Sequence, residues 1–330
     1  MPRICILPGD GVGQEVIPAA QRVLEALHLG LEFTRADAGF EHFQKTGDAI
    51  PPATLDMVQA CDAALFGATS SPLTRVEGYR SPILALRQTL DLYANLRPIR
   101  SLPLKFSRAN IDLLLVRENT EGLYAGRERA ADAETMIAER VITKRASERI
   151  AQTAFQFAAR RKGHVTIVHK ANVLKLTDGL FRETCLGVAR EFPNVRANEM
   201  LVDAMAMRLV THPQNFDVIV TTNLFGDILS DEASALIGGL GVAPSGNIGA
   251  RHAVFEPVHG SAPDIAGQGI ANPIGAILSA AMALDYLRLH DAAARVREGV
   301  KRALTQNVLT RDLGGTATTE EMTRAVIENL

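Results

Sequence analysis

Short apolar runs recur along this chain, and each stops abruptly at a polar or glycine-rich turn. Arg3–Leu7 ends in Pro8-Gly9-Asp10-Gly11-Val12-Gly13, Ala63–Gly67 in Ala68-Thr69-Ser70-Ser71-Pro72, and Asp112–Val116 in Arg117-Glu118-Asn119-Thr120. Val165–Val168 ends in His169-Lys170-Ala171-Asn172, and Asp217–Val220 in Thr221-Thr222-Asn223. Runs of this length without alternation read as strands buried on both faces. The segments between them, Gln14–Leu29, Pro51–Cys61, Ser81–Leu92, Ala146–Arg161, Asp178–Phe192 and Met200–Val210, carry helical periodicity. Strand alternating with helix predicts an α/β fold with a largely parallel sheet. In such sheets ligands collect at the carboxyl ends of the strands, where the polar turns stand.

The first strand, turn and helix invite a dinucleotide-binding reading, but the G-x-G-x-x-G pattern needs glycine where Gln14 stands, and a Rossmann fold is not expected. Those glycines predict a tight turn approaching a ligand. The 330 residues exceed one ordinary domain, so two domains or one large α/β unit are expected. A net charge of −2 with no basic stripe gives no basis for nucleic-acid or membrane binding. Cys5, Cys61 and Cys185 lack C-x-x-C spacing, which predicts a reducing, cytoplasmic setting without structural zinc. The longest apolar stretch, Ile274–Leu284, is too short to span a bilayer. Residues 126–145 are charged and weakly patterned, as in an excursion or arm, and 244–273 reads as a long Gly-, Pro- and Asn-rich loop.

The chemistry-bearing residues stand at the strand ends. Thr221, Thr222 and Asn223 suit helix capping. Asp227 and Asp231 follow four residues apart, on one helix face between apolar flanks. An isolated D-x-x-x-D is more often a solvated acidic face; here a divalent cation is the competing reading, with Asp203 as a third oxygen donor. Arg87, Arg97 and Arg117 each more often pair with a local acid, yet three guanidiniums suit a di- or tricarboxylate. Lys170, directly after an apolar strand, is a candidate base, and Tyr124 a candidate acid. No serine or cysteine nucleophile motif and no P-loop appears.

Together these stretches resemble the metal-dependent β-decarboxylating dehydrogenases, which act on isocitrate, 3-isopropylmalate, homoisocitrate or tartrate. The resemblance spans essentially the whole chain. It is carried by Gly9-Asp10-Gly11, Leu92–Pro98, Arg117–Tyr124, His169–Asn172, His259–Gly267 and, most specifically, Thr222-Asn223-Leu224-Phe225-Gly226-Asp227-Ile228-Leu229-Ser230-Asp231. It implies a two-domain α/β fold that is not a Rossmann fold. The first domain would comprise residues 1–98 plus 238–330, and the second, dimerising domain 99–237, with a subunit-clasping arm at about 126–145. It implies a homodimer with shared sites, and leaves the tetramer open. Lys170 and Asp203 would come from the neighbouring subunit, and Asp203, Asp227 and Asp231 would bind Mg²⁺ or Mn²⁺. Hydride would leave C2 of a 2-hydroxy acid for the nicotinamide while Lys170 helps remove the hydroxyl proton, the metal would polarise the new ketone for loss of CO₂, and Tyr124 would protonate the enolate.

The same resemblance assigns Thr69, Asn119, Glu256, His259, Gly260, Ser261, Ala262, Asp264, Ile265 and Asn272 to the cofactor. A carboxylate at Asp264 accepts from a ribose 2′-hydroxyl and repels a 2′-phosphate, which favours NAD over NADP. Arg87, Arg97, Arg117 and Asn172 would hold the shared part of the substrate, and Ser81, Ile83 and Leu84 would meet its variable group. Val76-Glu77-Gly78-Tyr79 before Ser81-Pro82-Ile83 is similar to homoisocitrate enzymes, whereas Ile83-Leu84 is similar to the apolar pocket of isopropylmalate enzymes. The implied activity is NAD-dependent oxidative decarboxylation of homoisocitrate to 2-oxoadipate, in lysine synthesis through 2-aminoadipate, with isocitrate a further candidate substrate. The alternative is 3-isopropylmalate in leucine synthesis. A non-catalytic subunit would lack part of the set Tyr124, Lys170, Asp203, Asp227 and Asp231, all of which are present.

Overall fold

The computed structural model describes residues 1–74 and 76–330. Two compact units emerge, the first from residues 1–92, 102–107 and 237–330, the second from 93–101 and 108–236.

The first unit begins with β1 (Arg3–Gly9), α1 (Gly13–Ala26), β2 (Glu32–Arg35), α2 (Phe40–Thr46), α3 (Pro52–Ala60), β3 (Ala63–Ala68) and α4 (Pro82–Thr89). The second unit holds β4 (Ala94–Arg100), β5 (Asp112–Glu118), β6 (Glu128–Ala130), β7 (Met136–Ala138), α5 (Lys144–Ala158), β8 (His164–His169), α6 (Thr177–Ala189), β9 (Arg196–Leu201), α7 (Val202–Thr211), β10 (Val218–Thr221) and α8 (Asn223–Ala235). The chain then returns to the first unit with β11 (Pro244–Ile248), β12 (Ala253–Pro257), α9 (Ile274–Tyr286), α10 (His290–Thr305) and α11 (Thr319–Glu328).

In the first unit the strand order is β2-β1-β3-β12-β11, parallel except for β11. Ile4, Cys5, Ile6 and Leu7 are all buried because helices cover both faces. Cys5, Leu7, Phe66 and Val254 pack with Val58, Leu86 and Leu92 on one side, and α1 and α9 lie against the strands as well. The apolar helix α9 buries Ile274, Ile277, Ala280, Ala281 and Leu284, as an enclosed helix should. In the second unit the order is β4-β5-β10-β8-β9, with β4 antiparallel to β5 and the rest parallel. None of the helices is long and apolar enough to cross a membrane among the described residues.

Several expectations are corrected. The stretch 244–273 is not all loop, because β11 and β12 form an antiparallel pair within it. Met200 and Leu201 belong to β9, paired with β8, so the following helix starts only at Val202. Strand β4 lies whole in the second unit, since every residue of Ala94–Arg100 pairs with β5, and the break falls before Tyr93 rather than near 98. The excursion contains a short exposed pair, β6 and β7, and ends at Thr143, whose side chain caps α5, so Lys144 and Arg145 are helical. The three cysteines are free, and burial pushes the Cys5 thiol up to about 12.

The glycines after β1 make room for protein backbone. A Cβ on Gly11 would lie 2.1 Å from the Ser261 carbonyl oxygen, and Gly11 has φ +55. Gly13 has the same clearance from the Pro8 carbonyl oxygen. Gly11→Ala should therefore cost about 3 kcal/mol, combining a left-handed backbone with overpacking. Urea denaturation measures this, and an unchanged midpoint would show that the contact yields freely.

Candidate active site

In the second unit, β4 and β5 pair with Asn95 opposite Arg117 and Arg97 opposite Leu115, so Asn95, Arg97 and Arg117 share one sheet face. Helix α8 packs against these two strands. Gly226 permits the fit, because a Cβ there would come within 2.7 Å of Arg117 Cγ. Asp227 and Asp231, one turn apart, then meet the two arginines.

Arg117 is almost completely buried. It donates from Nε (3.0 Å) and Nη2 (2.7 Å) to Asn223 Oδ1, and from Nη1 to Asp227. Its guanidinium stacks 5.1 Å from the centre of the Tyr124 ring. Arg97 donates to Asn95 Oδ1 (2.8 Å), Ser230 Oγ (2.6 Å) and Asp231 Oδ1 (3.0 Å), and lies 3.3 Å from Asp227 Oδ1. The Tyr124 hydroxyl donates to Asp227 Oδ2 at 2.5 Å. Burial raises the Tyr124 phenol above its usual range, and Asp227 adds to the rise. Burial likewise raises Asp231; Arg97 pulls it down and the neighbouring Asp227 charge pushes it further up.

Lys170, just past β8, and Asp203, in the first turn of α7, form an ion pair at 2.5 Å. That contact holds Asp203 below the usual carboxylate range. Asp203 is largely exposed, and Asn172 is exposed. The structure thus brings together Arg97, Arg117, Tyr124, Asp227 and Asp231, and separately Lys170 with Asp203. Among the described residues, no three His, Cys, Asp or Glu side chains gather as a metal-holding group within one chain.

None of the three residues suited to cap α8 does so with its side chain. The Thr221 hydroxyl donates to the Val168 carbonyl, Thr222 Oγ1 accepts from Arg140, and Asn223 Oδ1 is taken by Arg117. A backbone carbonyl acceptor and two guanidinium donors outcompete the helix end.

In the first unit, buried Asp10 accepts the backbone N–H groups of Phe40 (2.7 Å), Glu41 (3.0 Å) and Ser70 (2.8 Å). Ser70 Oγ donates to Ser261 Oγ at 2.9 Å, and Val12 N–H to the Ser261 carbonyl at 2.9 Å. This clamp fixes the loop of His259, Gly260, Ser261, Ala262, Asp264 and Ile265, in which Ala262 holds a left-handed φ of +38. His259 Nδ1 is 2.9 Å from the Gly260 carbonyl, which assigns it the proton and leaves the buried Nε2 a bare acceptor with no partner. Burial lowers the His259 pKa and keeps the ring neutral. Asp264 and Gly260 are exposed and Thr69 is half-buried, while Asn119, in the second unit, is buried. Asn272 donates to Asp312 at 2.9 Å and accepts from Ile274 N–H at 3.0 Å. Glu256 accepts from Arg87 (3.2 Å) and Asn247 (2.8 Å), while Arg87 Nε donates to Asn247 (3.1 Å), so Glu256 orients that guanidinium.

At the start of α4, Ser81 and Leu84 are half-buried, whereas Ile83 packs on the core of Leu7, Phe66 and Leu86. At least part of Ile83 is thus committed to the core. Sequence reading gave no role to Asn95, Ser230, Asp10, Ser70 or Asp312, and gave Asn223 only a capping one. Asn95 and Ser230 stand within two residues of Arg97 and Asp231, a local signal; Asp312 lies 40 residues from Asn272 and leaves none.

A family model described as isocitrate/isopropylmalate dehydrogenase matches residues 3–326. The isocitrate/homoisocitrate dehydrogenase of Thermus thermophilus is 56% identical over 329 residues, covering 99% of this chain and 98% of that protein. The 3-isopropylmalate/3-methylmalate dehydrogenase of Methanocaldococcus jannaschii is 49% identical over 336 residues, covering 100% and 99%. A crystal structure of isocitrate dehydrogenase from Methylococcus capsulatus superposes with a TM-score of 0.96 at 43% identity, covering 100% of this chain and 99% of that one.

Proposed function

Because the chain belongs to the isocitrate/isopropylmalate dehydrogenase family, we propose that it is an NAD-dependent, divalent-cation-requiring homoisocitrate dehydrogenase that also accepts isocitrate. The observation that carries the reading is the cluster of Arg97, Arg117, Tyr124, Asp227 and Asp231 on β4, β5 and α8. It offers positive charge to substrate carboxylates, a phenol proton, and two adjacent carboxylates.

The donor chemistry fits the implied groups. Asp227 and Asp231 supply only hard oxygen donors, suited to Mg²⁺ or Mn²⁺, and Asp203 of a second copy of the chain would complete the set. When bound, the cation would act as a Lewis acid on the substrate's oxygen. In the first unit, the unpartnered His259 Nε2 fits a hydroxyl donor such as a ribose, and the exposed Asp264 carboxylate favours an unphosphorylated one. The nicotinamide would accept the hydride from C2.

The chain's own residues do the rest. Lys170 of the second copy takes the hydroxyl proton at C2. Arg97 and Arg117 hold carboxylates; in the first unit, Arg87 is aligned by Asn247 and Glu256. Tyr124 gives its proton to the carbon left by CO₂. The need for a second copy is supported by Val173, Leu176, Met207 and Ile228, large apolar side chains exposed by 65, 88, 57 and 59% on the second unit. Half-buried Ser81 offers a hydroxyl to a distal carboxylate, which favours homoisocitrate and isocitrate over the alkyl group of 3-isopropylmalate.

NADH formation with purified protein and Mg²⁺ on the three substrates tests the reading. We expect kcat/KM for homoisocitrate to exceed that for 3-isopropylmalate by about tenfold or more, the scale of discrimination of a pocket difference of 1–3 kcal/mol. A preference for 3-isopropylmalate would overturn the substrate assignment and leave the family chemistry intact.

A further inference from the structure

We propose that Arg140 and Asp178 form a positioning pair that fixes Lys170 and ties it to the start of α8. The inference rests on the reading of Lys170 as the proton acceptor. Neither residue belongs to the catalytic or ligand-binding set described above.

Asp178, the second residue of α6, has no exposed surface. A fully buried carboxylate is retained only with strong partners on its oxygens. Oδ2 accepts the backbone N–H of Lys170 at 2.6 Å, and Oδ1 accepts Nη1 of Arg140. The Lys170 carbonyl accepts the N–H groups of Val173 (3.0 Å) and Leu174 (2.9 Å). The main chain is therefore held on both sides of Lys170, while its side chain reaches outward to Asp203. A long, rotatable amine depends on such a root for its reach.

Arg140 comes from the return of the exposed excursion, two residues past β7. Its Nη1 also donates to Thr177 Oγ1 at 3.3 Å, and Nη2 to Thr222 Oγ1 at 2.8 Å. Its guanidinium lies 4.9 Å from the Phe225 ring centre. Thr222 is the N-cap of α8, the helix that bears Asp227 and Asp231. One side chain at the base of the excursion thus reaches the root of Lys170 through Asp178 and the entry to the acid-bearing helix directly. The planar five-donor guanidinium can serve Asp178, Thr177 and Thr222 together, whereas a lysine ammonium can satisfy the charge but not that spread.

The test uses the full-length protein and the variants R140Q, R140K, D178N and K170M. R140Q should lower kcat by about 10²-fold, the scale of a small misplacement of a reacting group. KM should change less than about threefold, because no substrate contact is lost. R140K should recover about tenfold by restoring the charge opposite Asp178. In a K170M background, R140Q should lower kcat by less than about tenfold, the part that acts through α8 alone. Hydrogen exchange at the Lys170 amide should quicken by about tenfold or more in R140Q and D178N, independently of activity.

Unchanged kcat in R140Q, or unchanged exchange at Lys170, would overturn the proposal. So would a full hundredfold loss from R140Q on top of K170M, which would show action by another route. If D178N does not fold, R140Q and R140K carry the test, since Arg140 sits at the edge of the cluster. Wild-type kcat in K170M would sink the base assignment alone, and the exchange measurement would still decide whether the pair holds Lys170.

Discussion

Asp227→Asn is expected to lower kcat/KM by about 10³-fold in saturating Mg²⁺, in line with the several kcal/mol that a Lewis acid supplies to a developing oxyanion. The side chain keeps its shape, so the loss is one of charge. The same charge faces Arg117, Arg97 and the Tyr124 hydroxyl. Removing one partner of a buried ion pair costs about 3–5 kcal/mol. The Asp227 side chain is 31% exposed, so water screens part of that, and about 2 kcal/mol is the expected fall in unfolding free energy. Both numbers are separately measurable, by steady-state kinetics across a Mg²⁺ titration and by urea denaturation. Near-native activity in Asp227→Asn without added metal would remove the cation from the scheme.

The second large effect is a gain. The Lys170→Met and Asp227→Asn proteins should each be nearly inactive, yet co-expressing the two should restore activity. If a site takes Asp227 from one copy and Lys170 from the other, a hybrid dimer has one site with both residues intact and one with neither. Random pairing makes about half of the dimers hybrids, so about a quarter of wild-type activity should return. A site built within a single chain predicts no recovery. In the single chain the acids divide in the way this needs, with Asp227 and Asp231 on α8 and Asp203 paired to Lys170 elsewhere in the second unit.

Much of this was readable from residue order. The buried strands announced themselves as apolar runs because helices cover both sheet faces, which removes the alternation of a half-wet strand. Of the proposed site residues, Arg117 and Lys170 stood within two positions of the ends of those runs. What the sequence hid depends on pairing across long separations. Strand β9 has the composition Arg-Ala-Asn-Glu-Met-Leu, with no β-branched residue, and is a strand because β8 supplies its hydrogen bonds. The hairpin of β11 and β12 was masked by its Pro, Gly and Asn content. The caps of α8 failed because Arg117 and Arg140 reach it from 106 and 82 residues away. Ile83, expected to meet the substrate's variable group, also packs against a buried cluster whose members come from distant parts of the first unit.

The first unit is assembled from both chain ends, and this sets an order of events at the ribosome. Strands β1 and β3 emerge early with apolar side chains on both faces. Their partner β12, and after it the covering helix α9, lie beyond about 180 intervening residues, which take on the order of 10 s to synthesise. The second unit is nearly continuous in sequence and has all its strands once Thr221 has emerged. A nascent chain therefore completes its acid-bearing unit while the first unit still waits, open on one edge, for residues 237–330 to be translated.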